Sequence, residues 1–100
     1  MKEPRLGAEA LTHALAALPA WSGDTTRIER TYRLGGFLEA MSFMSAAVAT
    51  IHALDHHPEW SNVYDRVHVV LTTHDSGGVT AKDVELAGKL ERLAAVWTQH

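Results

Sequence analysis

Leu11, Leu15 and Leu18 recur at spacings of four and three residues, the period at which side chains share one face of an α-helix. Pro19 ends the pattern, so the spacing predicts a first helix over residues 8–18. The period changes downstream. SGDTT supplies turn residues, and Ile28, Arg30, Tyr32 and Leu34 then alternate with Glu29, Thr31 and Arg33, which predicts a hairpin with its second strand over about 27–34. After Gly35-Gly36 a helical stripe returns as Phe37, Met41, Met44, Val48 and Ile51. This is the longest predicted helix. Proline disfavours helical geometry in the residue before it, so Pro58 is expected to stop the helix near His56 or His57. Residues 63–73 alternate again, with Val67, Val69 and Leu71 on one face and His68, Val70, Thr72 and His74 on the other. A short piece over 60–64 is expected to pair with them through a turn at Asp65-Arg66. Ser76-Gly77-Gly78 marks another turn, and Thr80 to Asp83 resembles a capping box with Asp in place of Glu. A third helix follows through Val84, Ala87, Leu90, Ala94 and Trp97.

The predicted order is α-β-β-α-β-β-α. Two hairpins separated by helices point to an α+β fold, an antiparallel sheet covered on one face by helices. With 100 residues, 46% of them hydrophobic and 21% charged, the chain is expected to form a single domain over 1–100. A domain of this size buries a modest share of its surface, which favours association into an oligomer. The chain has no cysteine, so disulfides and thiolate metal sites are excluded, and a reducing, cytoplasmic location is expected. The apolar run near the start is broken by Glu9, Thr12 and His13, so neither a signal peptide nor a membrane span is expected. A net charge of −3, with no run of basic residues, argues against a nucleic-acid partner.

Seven histidines are the compositional outlier, and two of them stand together in DHHPEW, residues 55–60. A helix end carries partial negative charge, and Asp55 adds to it; both favour an imidazolium at His56 or His57. The break forced by Pro58 lets the two rings line one pocket in different roles. His74 is expected where a strand ends, a common rim of binding sites. Three imidazoles around one cleft suit general acid–base catalysis. Simpler roles compete: a helix-end cap for His56, a turn residue for His74, packing for Trp60, and an N-terminal capping acid for Asp83. His13, His68 and His100 show no partner in the sequence and are expected to be solvated. His52 and His56, four apart, would share one helical face and offer two ligands to zinc, with His57 or His74 as a third. The glutamate of an HExxH motif is missing, because Ala53 follows His52.

The run DHHPEWSNVYDRVHVVLTTHDSGGVTAKD, residues 55–83, resembles the pterin-4a-carbinolamine dehydratase family, whose animal members also serve as a dimerisation cofactor of a homeodomain transcription factor. The likeness extends more weakly through Trp21, Arg30, Tyr32 and the long helix upstream, and Leu86-Ala87 downstream. It implies a four-stranded antiparallel sheet with three helices packed on one face, assembled into homodimers or homotetramers. It also implies loss of water from 4a-hydroxytetrahydropterin to give quinonoid dihydropterin, in recycling of tetrahydrobiopterin, with no metal and no organic cofactor. The catalytic histidines of the family fall on His56, His57 and His74. The pterin-binding positions fall on His56, His57, Pro58, Thr73, His74, Asp75 and Ser76, with Asp55, Trp60 and Asp83 in support. His56 and His74 are expected to transfer protons and His57 to bind substrate, with acid and base left unassigned. The animal enzymes carry an acid where this chain has His52, so any role of that acid is in question here. The short SGDTT segment also suggests an abbreviated first strand. Two other readings are a non-catalytic protein that stabilises a partner's oligomer and a histidine metal-binding module.

Overall fold

The computed structural model describes residues 3–98. Its elements are α1 (Ala8–Ala16), β1 (Ser22–Gly23), β2 (Ile28–Arg33), α2 (Phe37–Leu54), β3 (Glu59–Val63), β4 (Arg66–Leu71), a 3₁₀ turn at His74–Ser76 and α3 (Ala81–Thr98). The four strands form one antiparallel sheet in the order β1-β2-β4-β3, with the helices on one face. This is the α+β architecture expected from the sequence. His100 lies outside the described residues.

Alternation decides which strand residues meet the helices. Ile28 pairs with Leu71, and Tyr32 with Val67; these four and Val69 are completely buried. Leu11, Leu18 and Trp21 close one end of the core, and Leu86, Ala87, Leu90 and Ala94 of α3 press on it. β1 is only two residues long, as the short segment suggested. The turn after it is closed by Asp24 Oδ1, which accepts from the Thr26 amide at 2.8 Å.

Three features differ from the sequence expectation. The β3–β4 hairpin turns at Tyr64-Asp65, one residue early, with Val63 opposite Arg66 and Tyr64 in the left-handed region at φ 52°. β4 stops at Leu71 because the chain bends into a small loop whose Thr73 bridges to Gly78. The third concerns α2. Its buried stripe is Ala40, Phe43, Ala47 and Ile51, whereas Phe37, Leu38 and Val48 are more than half exposed. The helix is apolar on both sides, and the expected stripe straddles them: its Ile51 is buried and its Met44 packs against the core, while its Phe37 and Val48 face outward. Small alanines let α2 approach α3 closely. By length and composition α2 is apolar enough to cross a membrane, yet its inner side is built into the core.

A polar hub ties α3 to the sheet. Glu91 Oε2 accepts from Tyr32 Oη at 2.5 Å, Arg30 Nε at 2.6 Å and Trp21 Nε1 at 3.2 Å. The Arg30 guanidinium also lies 4.0 Å above the Tyr32 ring. Burial, and then the bond to Glu91, push the Tyr32 phenol well above its ordinary range. The folded chain therefore keeps a proton that the unfolded chain releases near pH 10, so stability is lost as pH rises beyond that value. Urea unfolding followed from about pH 8 to about pH 11 is expected to show the midpoint falling above about pH 10. The fall should be shallower in Tyr32→Phe.

Candidate active site

α2 ends at Leu54, and Asp55 follows in the left-handed region, φ 50° and ψ 45°. The Asp55 amide donates to His52 O at 3.1 Å and the His56 amide to Ile51 O at 3.4 Å, the paired bonds of a Schellman ending. Aspartate is among the few residues other than glycine that visit this region readily. The helix is thus terminated by a backbone reversal at Asp55, ahead of the stop expected from Pro58. His56 and His57 leave the helix in the link to β3. The one-face arrangement of His52 and His56 that a metal pair needs is accordingly not formed. Among the described residues, no three histidine or carboxylate side chains are grouped as metal ligands.

The link lays His56 over the start of α3. Its Nε2 lies 2.5 Å from Asp83 Oδ1, with the histidine side chain 11% exposed and the carboxylate completely buried. Asp83 Oδ2 accepts from Thr73 Oγ1 at 2.8 Å and from the Thr80 amide at 2.9 Å. Thr80 Oγ1 in turn accepts from the Lys82 amide at 3.3 Å and lies 2.9 Å from Thr73 Oγ1. Asp83 is therefore both the expected capping acid and the partner of a site histidine. An ionised carboxylate can only accept. The network thus assigns the His56 proton to Nε2 and leaves Nδ1 for another partner.

His56, His57, Thr72, Thr73, His74 and Asp75 line one open cleft of about 210 Å³. The three histidines singled out in the sequence are therefore brought together, two from the link after α2 and one from the loop after β4. His74 projects into solvent, its side chain 88% exposed, with Glu59 Oε2 3.8 Å from its Nε2. His57 also borders a second cleft of about 260 Å³, together with Val48, Ile51, His52, Pro58 and Trp60. Pro58 and Trp60 thus stand on the far side of His57, and Trp60 also packs against the core. Asp55 serves the backbone reversal. The Ser76 hydroxyl is turned to the Glu3 carbonyl.

Sequence reasoning overlooked two neighbours. Thr72 lines the cleft, although its place on the same strand face as His74 was visible in the alternation. Glu59 reaches His74 only because β3 runs beside β4. His68 is not simply solvated: its Nδ1 lies 2.7 Å from Thr31 Oγ1 and its Nε2 3.2 Å from Glu29 Oε1. Both partners come from β2, and sheet register alone makes them neighbours. A hollow of about 220 Å³ beside His68 lies on the helix-free face of the sheet, between Thr31, Ser61, Val63 and Arg66. It gathers one histidine where the other cleft gathers three.

Comparison with known proteins gives a consistent picture. Residues 4–93 match the family model described as pterin 4 alpha carbinolamine dehydratase. A protein of Opitutus terrae provisionally named pterin-4-alpha-carbinolamine dehydratase is 54% identical over 87 residues, covering 86% of this chain and 90% of the relative. A Bordetella avium protein with the same provisional name is 51% identical, covering 85% of this chain and 81% of its own. A crystal structure from Brucella melitensis, described as a transcriptional coactivator/pterin dehydratase, superposes with a TM-score of 0.86 at 39% identity. It covers 90% of this chain and 98% of its own.

Removing a carboxylate that fills three donors leaves those donors buried and unpaired. Asp83→Ala is expected to cost at least about 3 kcal/mol, since each buried donor left unpaired costs about 1–3 kcal/mol. Urea denaturation measures it, and the loss should exceed that of the surface change Glu85→Ala by several fold.

Proposed function

The chain belongs to the pterin 4 alpha carbinolamine dehydratase family and is a dehydratase, a hydro-lyase; on that premise we propose that His56, His57 and His74 remove water from 4a-hydroxytetrahydrobiopterin by acid–base catalysis. The observation that carries the reading is the meeting of these three imidazoles around one cleft, with His56 held by a buried carboxylate. The reaction breaks the C4a–O bond and forms a C4a=N5 double bond. A proton must reach the departing hydroxyl so that it leaves as water, and the proton on N5 must be taken away. One group gives a proton and another accepts one, so no net proton is exchanged with the protein.

The hydrogen bonds suggest the roles that the sequence left open. His56, with Nε2–H directed to Asp83, offers its Nδ1 lone pair as the base for the N5 proton. His74, in the open mouth of the cleft, is the acid for the 4a hydroxyl, and His57 contacts the ring system between the two. Thr73, His74 and Asp75 face the pterin from the opposite rim. The product, quinonoid dihydrobiopterin, would return to tetrahydrobiopterin through a reductase-class step, which places the enzyme in cofactor recycling. The matched model spans nearly the whole chain, which supports one functional domain over 1–100. The cysteine-free composition supports the cytoplasm as its location.

The outer face of α2 supports association. Phe37, Leu38 and Val48 are exposed by 52%, 74% and 56%, more apolar side chain than one helix of a small monomer normally shows to water. The chain is a homodimer or homotetramer in this reading, with α2 in the contact. The same face would serve a protein partner, in keeping with the coactivator description carried by the Brucella melitensis structure.

His56→Ala, His57→Ala and His74→Ala should each lower dehydration of the carbinolamine by about 10²-fold or more, measured from the absorbance of the quinonoid product. Full activity in all three would remove the catalytic role. Sedimentation equilibrium is expected to show a dimer or tetramer, and Leu38→Glu to shift it toward monomer. A wild-type chain that stays monomeric throughout the concentration range would remove the oligomer.

A further inference from the structure

His74 has little of its own to hold it. Its side chain is 88% exposed, and among the described residues the one carboxylate within ion-pair range is Glu59, at 3.8 Å. Its place in the cleft is therefore set by the backbone of the loop over residues 72–80. That loop is pinned by two segments remote in sequence.

The first is the turn after β1. Thr25 O accepts from the Val79 amide at 2.9 Å, and Thr26 O accepts from Thr72 Oγ1 at 2.7 Å. The second is the stretch before α1. The Leu6 amide donates to Val79 O at 2.8 Å, Arg5 bridges to Thr80, and the Ser76 hydroxyl donates to Glu3 O. Arg5 joins the two segments. Its Nε donates to Thr25 O at 3.3 Å and its Nη2 to Thr25 Oγ1 at 3.0 Å. Thr25 O thus takes one donor from the loop and one from Arg5.

Gly78 lies where these segments cross. A Cβ there would come within 2.2 Å of Thr25 O and 2.6 Å of Arg5 Nε. Its neighbour Gly77 has a φ of +75°, a left-handed conformation that favours glycine, while Gly78 does not. Residue 78 is glycine because two chain segments pass over it.

We propose that residues 3–6 form a strap that positions His74, with Arg5 as a positioning residue and Gly78 as its seat. This rests on the dehydratase reading for its kinetic readout but not for its structural one. Arg5 is exposed, so its side-chain hydrogen bonds add little to global stability. Their effect falls on loop placement, and misplacing a proton-transfer group by about 1 Å costs up to about 10²-fold in rate.

The test compares Arg5→Ala, Arg5→Lys, Ser76→Ala and Gly78→Ala with wild type. Three quantities are read: kcat and KM for the carbinolamine, the urea midpoint, and the NMR resonance of the His74 ring. Arg5→Ala should lower kcat by about 5- to 10-fold with KM and the urea midpoint nearly unchanged, and shift the His74 resonance but not that of His13. Arg5→Lys, which keeps one donor, should recover part of the loss, and Gly78→Ala should show the largest shift. Wild-type kcat and an unmoved His74 resonance in Arg5→Ala and Ser76→Ala would overturn the strap. So would a loss of kcat matched by a fall in the urea midpoint, with the His74 resonance unmoved. If wild type proves inactive on the carbinolamine, the dehydratase reading fails, and the His74 resonance alone decides the strap.

Discussion

A carboxylate shut away from water must have its lone pairs filled by donors, and at Asp83 those donors come from three parts of the chain. His56 arrives from the link after α2, Thr73 from the end of β4, and the Thr80 amide from the first turn of α3. Moving any one of these segments breaks a bond that nothing else in the interior replaces. The geometry of the cleft follows from that constraint. His56 and Thr73 both touch Asp83, and their neighbours His57 and His74 are carried to the same rim. The capping role of Asp83 and its bond to His56 are one arrangement, because the oxygen turned to the helix amide and the oxygen turned to the histidine belong to a single planar group.

A second constraint operates about two turns further along α3. Glu91 gathers donors from Tyr32, Arg30 and Trp21, so the helix has a second polar anchor near its middle. Between the two polar anchors run the buried apolar positions Leu86, Ala87 and Leu90. With α3 held in register, Asp83 cannot slide along the sheet, and His56 keeps its partner. α2 is held differently, by close approach of its alanines, and its opposite apolar side stays exposed.

Much of this architecture was legible in the sequence. Helical and alternating periods located all three helices and the strands β2 to β4, because those periods are properties of neighbouring residues and need no tertiary information. The histidine doublet and His74 stood out through residue type and position, and Thr80 to Asp83 read correctly as a cap. The errors share a physical origin. α2 is apolar on two sides, and no local rule says which side meets α3. The end of α2 was assigned to Pro58, while Asp55 had already reversed the chain. His68 looked unpartnered because Thr31 and Glu29 lie more than thirty residues earlier in the chain.

The sequence by itself determined the order of elements, the absence of thiol chemistry and the presence of a histidine cluster suited to proton transfer. It did so because composition and short-range spacing are complete in one dimension. Only the tertiary structure decided that Asp83 is the partner of His56 across 27 residues. It alone decided that the hydroxyl of Ser76 turns to the Glu3 carbonyl. Such pairings depend on how segments cross in space, and a buried donor or acceptor finds its partner only once the backbone has brought the two together.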